Sequence, residues 1–182
     1  MSVQNFVQKI NAIVRVLAET RANEALLFGR EALALIRRRI QNTGRDANES
    51  QLGDYSTNPL PAFFYFGKSV NASGETKVRA AAKKGKKLSY SDFRRANNRE
   101  TDFVELTFTG AMWREMSVDI TTNTPKKTTA TISPTTPRAI KVLTFNVLRY
   151  GPILDITANE RAMLLDANKQ RVLKIFRQVL KK

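Results

Sequence analysis

The first forty residues carry apolar side chains at helical spacing. Apolar residues recur at intervals of three and four over Val3–Leu17, and again, in a shifted phase, over Leu26–Ile40. Such spacing places one apolar stripe along a helix. The phase slips within Glu19–Asn23, so the sequence predicts either two helices or one long helix that bends there. Gly44 is expected to end the helix, because glycine readily adopts the left-handed conformation that helix ends require.

The middle of the chain alternates strand-like and turn-like patterns. Pro61–Ser69, which contains four aromatic residues, predicts a short aromatic strand or a buried loop. Asp102–Gly110 predicts a strand because apolar and polar residues alternate along it. Val118–Pro134 is rich in β-branched residues on both sides of a Thr-Pro-Lys-Lys turn, and predicts a pair of strands. Ala139–Leu148 predicts one further strand.

Two helix starts are marked by caps. Thr157 and Glu160 form a capping box, in which each side chain accepts a hydrogen bond from the other residue's backbone amide. Thr109 is expected to cap a short helix, and Trp113 within that helix is expected to be core. These patterns predict an α+β fold: N-terminal helices, a central antiparallel sheet with a short helix, and a C-terminal helix packed on the sheet. A single domain over residues 1–182 is expected from the length.

The chain contains neither cysteine nor histidine. Disulfides, thiolate chemistry and cysteine-ligated zinc are therefore excluded. Catalysis by Ser-His-Asp or Cys-His groups is excluded as well. Carboxylates, Lys, Arg, Tyr, Ser and Thr are the side chains left for any active site.

Positive charge is concentrated in one segment. The chain has a formal net charge of +15, and residues 68–99 are interpreted as a basic extended arm or insertion, exposed and mobile. Such charge favours contact with a polyanion or an acidic protein surface, and a merely solvated surface is the remaining interpretation. Tyr90 and Phe93 could stack on bases or pack on the core. The candidate contacts to a partner or to DNA phosphates are Lys77, Arg79, Lys83, Lys84, Lys86, Lys87, Arg94, Arg95 and Arg99.

Three short motifs imitate chemical sites. Tyr65–Val70 resembles the end of a phosphate-binding loop, but Ala62 stands where that loop needs glycine. Asp46–Thr57 spaces oxygen ligands like a calcium loop, but it lacks the required central glycine and the final glutamate. An Asx-type turn at Asp46 that closes the helix is the favoured interpretation.

The third motif imitates a nuclease. Asp54, Glu75 and Lys77 supply two carboxylates and a lysine, the groups that a metal-dependent nuclease uses. Glu75 and Lys77 follow Asn-Ala-Ser-Gly, however, which predicts a loop, whereas such a site needs a rigid element. A nuclease is therefore the weaker alternative. We expect no enzyme activity, no cofactor and no bound metal.

No membrane segment is predicted. The chain does not open with a basic stretch followed by an uninterrupted apolar stretch, and its purest apolar run, Ala62–Phe66, is too short to span a bilayer. A soluble protein with no membrane partner is expected.

Several stretches, taken in order, resemble head–tail joining, or tail-completion, proteins of tailed bacteriophages. The stretches are LIRRRIQNTGRDANESQLGDYS, which ends at Ser56, then DFVELTFTGAMWREM, and finally RYGPILDITANERAMLLDANKQRVLKIFRQVL. The similarity covers most of the chain, and its motifs are structural rather than chemical. The lysine-rich insert resembles a divergent branch, that of the crAss-like phages.

The resemblance implies a non-enzymatic structural protein of the virion, located at the neck between head and tail and assembled in the host cytoplasm. It implies a closed ring of about twelve or about six copies around the DNA channel. The implied partners are copies of the chain, portal or adaptor proteins, tail proteins and double-stranded DNA. A basic nucleic-acid-binding module is the main alternative function. The resemblance further implies that Arg45–Ser56 is a structural loop leaving a helix, at a subunit or partner contact.

Overall fold

The computed structural model describes residues 3–107 and 109–181. The fold divides into two compact units. The first comprises Met1–Ile36, Met116–Thr135 and Ile156–Lys182, and the second comprises Arg37–Glu115 and Thr136–Asp155. The expectation of a single domain stays a prediction.

The described elements confirm the α+β class, with long helices and two small antiparallel sheets. In chain order they are α1 (Val3–Thr43), β1 (Leu60–Pro61), a 3₁₀ helix (Ala62–Tyr65), α2 (Ala72–Lys83), β2 (Lys87–Leu88), α3 (Tyr90–Ala96), α4 (Ala111–Arg114), β3 (Met116–Asn123), β4 (Thr128–Pro134), α5 (Pro137–Tyr150) and α6 (Ala158–Leu180).

Helix α1 is one continuous helix, so the alternative of two helices is wrong. The helix ends as predicted at Gly44, which has a φ of +61° and donates its N–H to Ile40 O at 3.0 Å. The loop that follows contains the expected Asx turn. Asp46 Oδ1 accepts the backbone N–H groups of Asn48 at 2.8 Å and Ser50 at 2.9 Å.

The first unit is held together by contacts between α1, α6 and the β3–β4 hairpin. The Arg171 guanidinium of α6 lies between two glutamates of α1, with nitrogen–oxygen distances of 2.7 Å to Glu24 and 2.7 Å to Glu31. The hairpin lies close to Gly29 of α1, where a methyl group would come within 2.5 Å of Val118 Cγ1. Gly29 therefore lets the helix and the hairpin approach closely.

Two sequence predictions in this unit are confirmed. Strands β3 and β4 pair antiparallel, with Val118 opposite Ile132 and an irregularity between Ile120 and Thr122. The capping box of α6 is present in full: Thr157 Oγ1 accepts from Glu160 N at 3.0 Å, and Glu160 Oε2 accepts from Thr157 N at 2.8 Å.

The second unit contains the basic segment, which is not an extended arm. Residues 72–83 and 90–96 form α2 and α3, and Val78 and Phe93 from these helices are buried against Tyr65. Asn71 caps α2, and a Ser-x-x-Asp capping box starts α3. The expectation of an extended arm is wrong because capped helices with good helix formers need only a few large apolar groups to hold them. The alternative, that residues 68–99 are an insertion, stays a prediction.

The aromatic residues of this unit form neither the predicted short strand nor the predicted buried loop. Only Leu60 and Pro61 form a strand, paired antiparallel with Leu88 and Lys87, and the chain then continues as a single 3₁₀ turn. Ala62 and Tyr65 point inward, while the other three aromatic residues stay largely exposed, namely Phe63, Phe64 and Phe66.

Asp102–Gly110 is irregular over its described residues, so the predicted strand is wrong, and Phe108 lies outside those residues. Side chains take the place of a neighbouring strand. Tyr55 Oη accepts from Glu105 N at 3.1 Å, and Arg94 donates to Thr107 O at 3.1 Å. The loop leads into α4, where Trp113 is buried as predicted.

The predicted strand over Ala139–Leu148 is helix α5 instead. Thr136 caps its start by accepting Ala139 N at 3.1 Å, and Pro137 occupies its first turn. Its end is set by Gly151, which has a φ of +79° and donates to Val147 O at 2.9 Å. These start and stop groups outweigh the β-branched content between them.

Candidate functional site

The nine basic residues singled out by sequence fall into two groups. Arg94 is buried and Arg99 is half-buried. The other seven are exposed on α2, β2, α3 and the turn between them. Two of these are paired with a carboxylate, Arg79 with Glu75 at 2.7 Å and Arg95 with Asp92 at 3.3 Å. Whether the exposed residues contact a partner stays a prediction; the exposed set is Lys77, Arg79, Lys83, Lys84, Lys86, Lys87 and Arg95.

A lysine-rich turn joins α2 to β2. Gly85, with a φ of +63°, reverses the chain there. Two amides of the turn, those of Lys84 and Lys86, donate to Ala81 O at 3.1 and 3.0 Å. Because these amides are used internally, an anion at the turn would be held chiefly by lysine ammonium groups.

Arg94 is the centre of a buried polar network and is only 1% exposed. It donates to Glu105 Oε1 at 2.5 Å, to Glu100 O at 2.7 Å and to Thr107 O at 3.1 Å. Its guanidinium carbon lies 4.0 Å from the centre of the Tyr55 ring. Arg94 thus fixes the irregular loop to α3, and it is not available to an external phosphate.

The network shifts two ionisable groups. Burial raises the pKa of the Tyr55 hydroxyl to about 12, against the lowering effects of Arg94 and of the hydrogen bond from Glu105 N. Burial also raises the pKa of the Glu105 carboxyl, and Arg94 opposes that rise. A phenol with a raised pKa stays protonated near neutral pH, so Tyr55 acts as a hydrogen-bond acceptor rather than as a base.

A cleft of about 430 Å³ opens beside this network, within the second unit. Tyr55 and Tyr90 line one part, and α5 contributes Arg138, Phe145 and Arg149. The volume is in the range of small-ligand sites. Its aromatic and cationic groups suit an acidic or planar group, such as a side chain of a bound partner.

Helix α5 presents most of its large apolar residues outward. Its buried positions are Ala139 and Asn146, which lie two turns apart on one side of the helix. The exposed positions include Phe145, at 60%, and Leu148, at 82%. The exposed apolar set is Ile140, Val142, Phe145, Val147 and Leu148.

The structure places the three imitated motifs as follows. Gly67 N lies 3.2 and 3.3 Å from the two carboxylate oxygens of Glu75, so that carboxylate occupies the position that a bound phosphate would need. Asp46 uses one carboxylate oxygen for its turn. Glu75 and Lys77 lie on α2, so the expectation that they belong to a loop is wrong. Within residues 3–107 and 109–181, no group of three or more acidic residues could hold a metal ion.

Two features were missed from the sequence. The outward face of α5 was missed because this segment was predicted as a strand. Thr136 and Pro137 indicate a helix start, and Gly151 indicates a helix end. The exposure of Phe63 and Phe64 was missed because a run of aromatic residues normally indicates a buried element.

No protein-family model, curated protein or solved structure matches this chain. The resemblance to head–tail joining proteins therefore stays a prediction. No helix in the described part of the chain is long and apolar enough to cross a membrane.

Proposed function

We propose that this chain is a non-enzymatic structural protein that assembles with copies of itself into a closed ring. In the setting that the sequence resemblance implies, the ring forms the neck of a tailed-phage virion and joins the portal or an adaptor to tail proteins around the DNA channel. The observation that carries the proposal is the outward apolar face of α5.

A helix normally buries its large apolar residues and exposes its polar ones. Helix α5 does the reverse, since its buried positions hold a small residue, Ala139, and a polar one, Asn146, which contacts Met112 Sδ through its amide at 3.4 Å. The apolar face is therefore not needed by the core of its own unit. Five exposed large apolar side chains on one short helix are typical of a contact with another protein.

The hydrophobic free energy of this surface favours several protein–protein contacts per chain over a single weak contact. Covering the exposed parts of five apolar side chains contributes about 5 kcal/mol, which is near the low end of the cost of associating two proteins. A second surface must therefore contribute. The first half of α1 offers one, with exposed Val3, Phe6, Val7, Ile10 and Val14.

Two different apolar surfaces on one chain fit a heterologous contact, in which one surface meets the other surface of the next copy. Such contacts close into a ring when the rotation between copies allows it. The charge adds a condition. Copies that each carry +15 repel one another unless a polyanion or an acidic partner neutralises them. DNA in the channel and an acidic portal or adaptor would each meet that condition.

The test is the mass of the assembly, measured by native mass spectrometry and light scattering over a range of protein and salt concentrations, with and without DNA. We expect oligomers that increase with salt or with DNA, because both screen the repulsion. Leu148→Glu should return the protein to monomers while leaving its thermal melt unchanged. Leu180→Glu, at another exposed leucine, is the matched control. A wild-type chain that stays monomeric under all these conditions would overturn the proposal.

The seven exposed basic residues favour a second candidate, a nucleic-acid-binding module that acts as a monomer. Such a module would bind DNA with a strong salt dependence and without a change in oligomeric state. The same measurements separate the two functions, since Leu148→Glu should leave the DNA affinity of a monomeric module unchanged.

A further inference from the structure

The 3₁₀ helix Ala62–Tyr65 exposes two phenylalanines in a fixed arrangement. Its inward residues anchor it: Ala62 is buried, and the Tyr65 ring stacks on Phe93 with ring centres 4.5 Å apart. Phe63 and Phe64 consequently face outward, at 58% and 49% exposure. Their rings stack on each other, with centres 4.7 Å apart and planes within 24°.

The backbone of the lysine turn lies beside the residues that lead into Phe63. Pro61 pairs with Lys87 across the β1–β2 ladder, and Ala62 N donates to Lys86 O at 3.3 Å. The backbone therefore brings Lys86 and Lys87 next to the residue that precedes Phe63. Further along the chain, the Arg79 guanidinium lies 4.9 Å from the Phe66 ring centre.

We propose that Phe63, Phe64, Lys84, Lys86 and Lys87, here termed the aromatic–lysine platform, bind single-stranded nucleic acid without reading its sequence. A pair of near-parallel rings ends in an open ring face, on which an unpaired base can continue the stack. The ammonium groups of the turn then meet the backbone phosphates. This pairing of stacked aromatic groups with a basic track is how single strands are bound without sequence preference.

Single strands fit these groups better than duplex DNA does. In a duplex, the base faces are covered by neighbouring bases, so exposed phenylalanines have nothing to stack on and only the lysines contribute. Phenylalanine also has no hydrogen-bond donor or acceptor with which to distinguish one base from another. The platform therefore predicts a preference for strand state rather than for sequence.

An anionic membrane surface is the competing partner for a site with aromatic and basic groups. Membrane binding favours a long amphipathic helix that lays one apolar face into the headgroups. The platform has a single 3₁₀ turn, and one face of each phenylalanine ring is covered by the other ring. These features favour a base over a lipid, and the membrane becomes an outcome of the test.

The inference does not require assembly into a ring. The platform lies within the second unit and shares no residue with the apolar face of α5. A chain that remains monomeric would leave the platform intact, and a platform that binds nothing would leave ring assembly intact.

The first experiment measures fluorescence anisotropy of labelled oligothymidylate of about 12 nucleotides, of a duplex of the same length, and of anionic lipid vesicles. We expect the single strand to bind more tightly than the duplex. The double substitution Phe63→Ala/Phe64→Ala should weaken single-strand binding by about tenfold and leave duplex binding unchanged. Phe6→Ala, at a similarly exposed phenylalanine, is the matched control.

The lysines are tested through salt. Replacing Lys84, Lys86 and Lys87 by Ser should reduce the slope of log affinity against log salt by about 2, since each lost phosphate contact removes roughly 0.7. The matched control removes the same charge from the other unit, by replacing Lys169, Lys174 and Lys181, which are also exposed.

A third variant reports stacking directly and does not depend on truncating the rings. Phe63→Trp keeps an aromatic group in place, and its emission should be quenched by the single strand because the base stacks on the indole. Trp113 is buried and gives a constant background. A blue shift with vesicles and no response to the oligonucleotide would overturn the proposal in favour of a membrane. The proposal would also be overturned if wild type, Phe63→Ala/Phe64→Ala and Phe63→Trp all bound single strand and duplex with equal affinity. Binding at the platform would then be explained by charge attraction alone.

Discussion

Tyr55→Phe tests the buried network around Arg94. The change removes one hydroxyl and keeps the ring beneath the guanidinium. The hydroxyl accepts from Glu105 N at 3.1 Å, in a loop that has no partner strand. Leaving a partly buried amide without an acceptor costs about 1–3 kcal/mol. We therefore expect the variant to be less stable than wild type by that amount at neutral pH.

The stability difference between wild type and Tyr55→Phe should depend on pH, and the direction of that dependence follows from the raised pKa of Tyr55. Tyr55 titrates at about 12 in the folded chain and near 10.0 when unfolded. Between those values the folded state holds the proton more tightly, so this contribution is complete below pH 10 and is lost as pH rises through about 12. The difference between the folded and unfolded pKa of Tyr55 corresponds to about 2.7 kcal/mol of stability. Solvent screening at the rim of the cleft reduces this contribution to about 1–2 kcal/mol.

Urea unfolding from about pH 8 to about pH 11.5 measures both effects. Wild type should lose stability faster than Tyr55→Phe over the upper part of this range, so the gap between them should narrow. Tyr150→Phe, at a half-buried tyrosine, is the control for general alkaline effects. A stability difference between wild type and Tyr55→Phe that is absent at about pH 8, or that stays constant up to about pH 11.5, would refute the role given to the hydroxyl.

The remaining predictions concern the C-terminal helix, the surface charge and catalysis. Thr157→Ala removes the side-chain acceptor for Glu160 N and should lower the free energy of unfolding by about 1 kcal/mol; an unchanged urea midpoint would contradict the cap. Replacing Lys83, Lys84, Lys86 and Lys87 by Ser should leave the thermal melt nearly unchanged, because all four are exposed; a collapsed melt would contradict this. Incubation with Mg²⁺ or Mn²⁺ should leave single-stranded and duplex DNA intact, since Glu75 is engaged by Gly67 N and Arg79; metal-dependent cleavage that Glu75→Ala abolishes would establish a nuclease.

Features set by neighbouring residues could be predicted from the sequence. The capping box at Thr157, the Asx turn at Asp46 and the hairpin of β3 and β4 each depend on groups within a few residues. Local hydrogen bonds of this kind are encoded by residue type and spacing. Gly44 was predictable for the same reason.

Features set by distant residues could not be predicted in this way. The alternation over Asp102–Gly110 favoured a strand, but Tyr55 and Arg94 supply its hydrogen-bond partners from elsewhere in the chain. The apolar side chains of α5 do not serve the core of their own unit, so their positions carried no information about burial. The basic segment looked too polar to fold, although a few buried groups, Val78 and Phe93 among them, hold it to Tyr65.

The close approach of Gly74 to Asn97 has a consequence for how this chain can evolve. A methyl group at position 74 would lie 2.2 Å from Asn97 Oδ1, the atom that accepts Val70 N at 3.0 Å, while Asn97 Nδ2 donates to Phe93 O at 2.9 Å. A substitution at either position alone is harmful. Replacing Gly74 creates a clash with Asn97, and replacing Asn97 leaves Val70 N and Phe93 O without this hydrogen-bond partner. The two positions should therefore change only as a pair, so that homologues fall into one group with Gly and Asn and another in which both residues differ, with few intermediates between them.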